Sequence, residues 1–210
     1  MMLVEETAPP AAALPVEAFR AYLRLGSGFD VAVDAAEDAA LAGFLRAAIA
    51  AVEARTGKVL LTRRFRMRIE DWRDPEAQPL PLAPVLAIDS VVIDDGRGSE
   101  TSLAASEVQL LPDSQRPLLV PAGSVLPVVP ERGFVTILFT AGFGTSWTTI
   151  PADLAQAVMM LAAHYYEDRG GMSVSASLPF GVAALIERWR AVRTLAGRGG
   201  AANVRRSAWR

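Results

Sequence analysis

Apolar residues recur along this chain with two different periods, and the switches between them divide it into blocks. Leu41, Phe44, Leu45, Ala48, Ile49 and Val52 follow the i, i+3, i+4, i+7, i+8, i+11 spacing of one buried helical stripe. Asp34 and Glu37 before it resemble a capping box, and Gly57 after Thr56 supplies the stop. Upstream, Leu14-Pro15 puts a proline at the first turn of a shorter helix with Val16, Phe19, Tyr22 and Leu23 on one side. Residues 1 to 13, rich in Ala and Pro, are expected to be a flexible N-terminal arm.

From Val59 the period becomes two. Phe65, Met67 and Ile69 alternate with Arg64, Arg66 and Arg68, the pattern of a strand with one buried face. Pro79, Pro81 and Pro84 predict an extended loop. Val85 to Ile93 then predicts a strand running into the Asp94-Asp95-Gly96 turn, with further strands at 108–111, 118–120 and 134–140. At Ile150-Pro151-Ala152-Asp153 the helical signal returns, with Leu154, Ala157, Val158, Leu161, Ala162 and Tyr165 on one stripe and Gly170-Gly171 as the stop. A last helix follows Pro179, with Val182, Leu185, Ile186, Trp189 and Val192 inward and Gly197 as its end. Residues 198–210 form an Arg/Gly/Ala tail expected to be disordered.

Each amphipathic helix must hide its stripe against another element. The predicted class is therefore α+β: a mainly helical bundle built from both chain ends, residues 14–58 and 151–197, with residues 59–150 inserted as a small antiparallel β domain.

Composition removes several function classes. The 210 residues include no cysteine, which excludes disulfide scaffolds and cysteine zinc sites, and a single histidine leaves only carboxylates as further metal ligands. The N-terminus lacks the positive segment of a secretory signal, and the charge-free runs 133–152 and 170–186 are broken by Gly and Pro, so a soluble, membrane-free chain is expected. The formal net charge of −2 conceals an asymmetry: residues 1–187 carry 14 basic and 23 acidic side chains, while seven arginines and no acid follow Glu187. An acidic body with a basic end repels phosphate over most of its surface.

Candidate chemistry is sparse. His164, near Glu167 and Asp168, is positioned for packing at the shoulder of a stripe and lacks a nucleophile and an orienting group, so neither catalytic nor metal residues are assigned. Gly26-Ser27-Gly28 and Gly142-Phe143-Gly144 lack the full fingerprint of a phosphate loop and read as turns, so no cofactor is expected. Arg64, Arg66 and Arg68 lie about 6.5 to 7 Å apart on one strand face. They are read as a solvated edge, as inter-subunit ion pairs or, less simply, as DNA contacts. In the tail, Arg198, Arg205, Arg206 and Arg210 with Trp209 are idle, touch phosphate, or dock on an acidic partner with Trp209 as anchor, the last being preferred.

Six segments in order carry a family resemblance: Leu14 to Leu25; Ala47 to Trp72, with Arg55-Thr56-Gly57-Lys58-Val59-Leu60; Leu80-Pro81-Leu82-Ala83-Pro84-Val85; Phe139-Thr140-Ala141-Gly142-Phe143-Gly144; Ile150-Pro151 through Tyr165-Tyr166-Glu167-Asp168-Arg169; and Leu178-Pro179-Phe180-Gly181-Val182. Over about residues 14 to 195 the chain resembles the head-tail connector, or adaptor, proteins of long-tailed bacteriophages and phage-like gene transfer agents. The resemblance implies a non-enzymatic ring, usually a homo-dodecamer, made in the host cytoplasm and placed at the head-tail junction of the particle. Its implied partners are the portal protein and the next head-completion (stopper) or tail component, and DNA passes through its lumen without specific binding. Gly26-Ser27-Gly28 lengthens the link after the first helix, and the Arg-rich tail falls outside the resemblance. Two other readings stay open: a DNA-binding module using the tail and the Arg64/Arg66/Arg68 row, and an enzyme centred on His164, Glu167 and Asp168.

Overall fold

The computed structural model describes residues 1–25, 35–168 and 178–190. The expectations resting on Asp34, on Gly26 to Gly28, on Gly170-Gly171, on Val192 and Gly197, and on the 198–210 tail lie outside these residues. The class is α+β: helices α1 (Val16–Tyr22), α2 (Ala35–Thr56), α3 (Ala152–Glu167) and α4 (Phe180–Ile186) accompany two antiparallel sheets.

The helical stripes meet in one apolar cluster. Phe19 of α1, Leu41, Leu45, Ile49 and Val52 of α2, Leu154, Val158 and Leu161 of α3, and Val182 and Ile186 of α4 are buried together, with Leu60, Leu61 and Ile150 from the adjoining segments. On α1 Phe19 carries the packing, with Val16 and the capping Leu23 partly buried beside it, whereas Tyr22, expected inward, is 43% exposed. Gly57 ends α2 with φ +68, a left-handed conformation that favours glycine.

The strands are β1 (Met2–Glu5), β2 (Arg63–Ile69), β3 (Gln78–Pro79), β4 (Val85–Asp94), β5 (Glu100–Ser102), β6 (Val108–Leu111), β7 (Leu118–Pro121) and β8 (Phe134–Ala141). They form a five-stranded sheet of order β1-β2-β8-β4-β5 and a three-stranded sheet of order β3-β7-β6. Phe65, Met67, Val91, Ile93, Val135, Ile137 and Phe139 of the larger sheet share a second apolar cluster with Leu80, Val108 and Leu119 from around the smaller one.

Three expectations need correction. Residues 2–5 are no free arm: they pair antiparallel with β2, from Met2 opposite Arg68 to Glu5 opposite Phe65, because β2 otherwise leaves one edge of backbone groups unpaired. Pro79 sits in a short strand, not a loop; β3 is the outer strand of its sheet, where a missing N–H is tolerated. The last helix stops at Ile186 and tightens into a 3-10 turn over Glu187–Trp189.

Gly142, at φ 141, brings the end of β8 against the backbone of residues 60–62. A Cβ there would lie 2.5 Å from Thr62 Cα. The Gly142-Phe143-Gly144 segment is spent on this contact, through Phe143 N–H to Leu60 O and Thr62 N–H to Gly144 O.

Candidate functional site

The local sequence of β2 sends alternate arginines to opposite environments. Arg64, Arg66 and Arg68 face out, as expected from the period of two. The strand is not an edge, however, because β1 covers one side and β8 the other. Nor are the three guanidinium groups without contacts. Arg66 Nε lies 2.7 Å from Glu6 Oε1, Arg64 Nε lies 3.5 Å from Asp89 Oδ2, and Arg68 stacks 3.3 Å over the Phe134 ring. Arg64 and Arg66 remain about half exposed, so these contacts orient the side chains without removing them from solvent.

The fourth arginine of the strand escapes notice in the sequence. Arg63 shares the parity of Phe65, Met67 and Ile69 and is buried with them. Its Nη1 and Nη2 donate to the two carboxylate oxygens of Glu53 at 3.0 and 2.7 Å, a forked pair that suits guanidinium geometry. Glu53 also accepts the backbone N–H of Leu60 at 2.7 Å. On the other side Nη2 reaches Glu5 Oε2 at 3.3 Å, and Nε lies 3.1 Å from Glu5 Oε1 as a charge contact without hydrogen-bond alignment. One buried cation thereby ties α2, β1 and β2 together.

Lys58, the single lysine, is also buried. Its ammonium donates to the Ser114 carbonyl and to Gln115 Oε1, pinning the β6–β7 loop beside the C-terminus of α2. Burial lowers its pKa and the Asp113 charge opposes that shift. Asp113 is itself held below the ordinary carboxylate value, first by the backbone N–H of Arg116 and then by that of Gln115.

A third polar point joins the end of the described C-terminal segment to the start of α3. Trp189 Nε1 donates to Asp153 Oδ2 at 2.6 Å, Arg188 Nε reaches the same oxygen at 2.6 Å, and the Trp189 ring meets Phe143 edge-on at 5.6 Å. The 3-10 turn over Glu187–Trp189 sets both side chains beside the first turn of α3. The arginine-rich segment therefore starts from an anchored point. The positions expected to dock, Arg198, Arg205, Arg206, Trp209 and Arg210, lie outside the described residues.

His164 is partly buried on α3 with its ring 6.4 Å from that of Tyr165. Among the described residues no group of three or more His, Asp or Glu side chains is disposed to hold a metal ion, and no helix is long and apolar enough to cross a membrane. The geometry thus offers anchored surfaces and buried ionic ties.

No family model and no curated protein matches the chain. Solved structures do. A chain from the neck of an empty GTA particle computed with C6 symmetry is 53% identical, with a TM-score of 0.84 and coverage of 95% of this chain and 100% of that one. A chain from the virion of a native gene transfer agent (GTA) particle is 53% identical with a TM-score of 0.82, over the same shares. One from the neck of a native GTA particle computed with C12 symmetry is 49% identical with a TM-score of 0.80, again covering 95% and 100%. With about half of all positions identical over nearly the whole of both chains, and the six ordered segments placed on one α+β framework, this chain belongs to the head-tail connector, or adaptor, family of long-tailed bacteriophages and phage-like gene transfer agents.

Proposed function

We propose that the chain is a structural adaptor of a gene transfer agent or phage particle: a non-enzymatic ring at the head-tail junction, seated under the capsid portal, that joins head to tail and lets DNA pass. The observation that carries this is the 49–53% identity, over 95% of the chain, to chains from GTA necks and a GTA virion. The C6 and C12 symmetries of those necks support a ring, with twelve copies as its size. In this reading α1 to α4 form the helical body, and the strands of residues 59–150, joined by β1, form the β insertion. The portal sits on one side and the stopper or tail component on the other. The acidic body keeps passing DNA from adhering, because like charge repels along the lumen wall. The outward setting of Arg64, Arg66 and Arg68, the first two about half exposed, supports a role in ion pairs between subunits.

Electron microscopy of particles carrying a labelled copy of the chain tests the placement. The label is expected as a ring between portal and tail, and its absence from the capsid vertex overturns the proposal. A second test concerns chemistry. His164→Ala is expected to leave gene transfer or infectivity at the parental level once folding is matched, because His164 has a packing role. A folded, assembled variant that fails to transfer DNA would show that the imidazole does chemistry.

A further inference from the structure

Two corners at one end of the five-stranded sheet carry opposite charge. At the first, where β1 begins and β2 ends, lies a cavity of about 570 Å³ lined by Met1, Met2, Arg68, Glu70, Arg132 and Phe134. Its two guanidinium groups meet no carboxylate among the described residues: Arg68 lies over the Phe134 ring, and Arg132 has no ion-pair partner. Arg132 also takes φ 71, a conformation costly for any residue but glycine, and such strain collects where a side chain is aimed at a task.

At the second corner, the hairpin from β4 to β5 holds Asp94, Asp95 and Glu100 against one arginine, Arg97. Its own bonds stiffen it. Asp94 Oδ1 accepts the Gly96 N–H at 2.6 Å, and Asp95 Oδ1 accepts those of Arg97 and Ser99 at 2.7 and 3.0 Å. The Asp95 carboxyl is held below its ordinary range, first by the Ser99 N–H and then by that of Arg97, so it stays charged.

The registers put both corners at one level and on one face. Arg68 stands opposite Thr136, and Thr136 opposite Val92; two residues on, Phe134 stands opposite Asp94, and Asp94 opposite Glu100. Residues two apart on a strand share a face, so Arg68, Asp94 and Glu100 all lie on the outer one. Within one chain they are held apart, because three strand spacings, about 14 Å, separate the backbones of β2 and β5.

We infer that in the ring the β4–β5 hairpin of one copy seats against the Arg68–Arg132 corner of the next, with Asp94 and Glu100 pairing with the two guanidinium groups and the strands running near the ring axis. This rests on the ring reading above and names the carboxylates that one of its outward arginines meets. A closed ring needs a heterologous interface, in which two different patches of one chain meet. These corners satisfy that in geometry as well as in charge. They belong to opposite edges of one sheet, so copies set side by side bring them together. Rotation about a single axis leaves every group at its own height, so corners level within the chain stay level across the interface. Like edges meeting would instead set arginine against arginine, at an electrostatic cost.

The sole lysine, Lys58, is buried, so carbodiimide coupling has little background. In purified particles carrying Arg132→Lys, which keeps the positive charge, the reagent is expected to condense the introduced amine with a carboxylate in contact, taking up the water that is lost. The expected product is a ladder at multiples of the chain mass, above the parental level. Peptide mapping is expected to join position 132 to Asp94 or Glu100, and adding Asp94→Asn/Glu100→Gln to remove the ladder. Separately, Arg132→Glu is expected to keep the parental circular dichroism and lower the proportion of tailed particles about tenfold, with the further change Glu100→Arg restoring it, since only the single variant sets like charges face to face. Particles that hold the chain at the neck but give no ladder overturn this inference and leave the ring reading standing. So does coupling of position 132 to another particle protein alone, unchanged tailing of Arg132→Glu, or a charge swap that restores nothing. Absence of the unmodified chain from the neck overturns the ring reading, and this inference with it.

Discussion

Glu53→Ala is expected to destabilise the folded chain by about 3 to 5 kcal/mol, the range for breaking a buried ion pair by removing one partner. The Arg63 side chain is 5% exposed and that of Glu53 12%, so solvent does little to replace the lost carboxylate. The variant leaves the Arg63 guanidinium with the Phe65 ring and with Glu5, whose side chain is 40% exposed, and strips the Leu60 N–H of its acceptor. Urea unfolding followed by circular dichroism measures the loss. The companion double variant Glu53→Leu/Arg63→Met is expected to recover the part due to the unpaired guanidinium, since an uncharged pair of similar volume incurs no desolvation cost, while the Leu60 N–H stays without its acceptor. A Glu53→Ala midpoint equal to the parental one would show that the ionic tie is not what joins β1 and α2 to β2.

Deleting residues 198–210 is expected to leave a folded protein but abolish its attachment to the portal-bearing capsid, giving heads without tails. The seven arginines from Arg188 onward set a positive field against an otherwise acidic chain, and a ring repeats that field in every subunit. Their starting point is not adrift, because Trp189 and Arg188 are both fastened to Asp153. Trp209, with Arg198, Arg205, Arg206 and Arg210 around it, has the composition of an interface anchor. Electron microscopy counts of tailed and tailless heads from the deletion strain decide the matter: a normal proportion of tailed particles rejects the docking role. Asp153→Asn, which weakens the anchor while keeping the tail, is expected to give an intermediate proportion.

Much of this fold is written in short-range periodicity. The stripes Leu41 to Val52 and Leu154 to Ala162, the alternation through Phe65, Met67 and Ile69, and the Gly57 stop each depend on neighbours within one or two turns, so the sequence alone locates α2, α3, β2 and the larger strands after it. The order of the six segments likewise sufficed for the family. What the sequence could not determine depends on partners far along the chain. Met2–Glu5 is a strand because β2, some sixty residues on, supplies its hydrogen bonds, and four residues are too few to show a period. Arg63 lies on the buried side by its parity, yet a buried arginine is tolerable only because Glu53 and Glu5 arrive from two other elements, which no local pattern reveals. After α4 the chain brings Trp189 to Asp153 at the start of α3, and the loop between β7 and β8 is held by bonds to Trp72 and Pro75, pairings between residues 36 to 55 positions apart. Local spacing determines which face of an element is apolar; only the tertiary structure decides which charges that face may bury and where the chain must turn to reach them, because those choices are settled by groups brought together through folding.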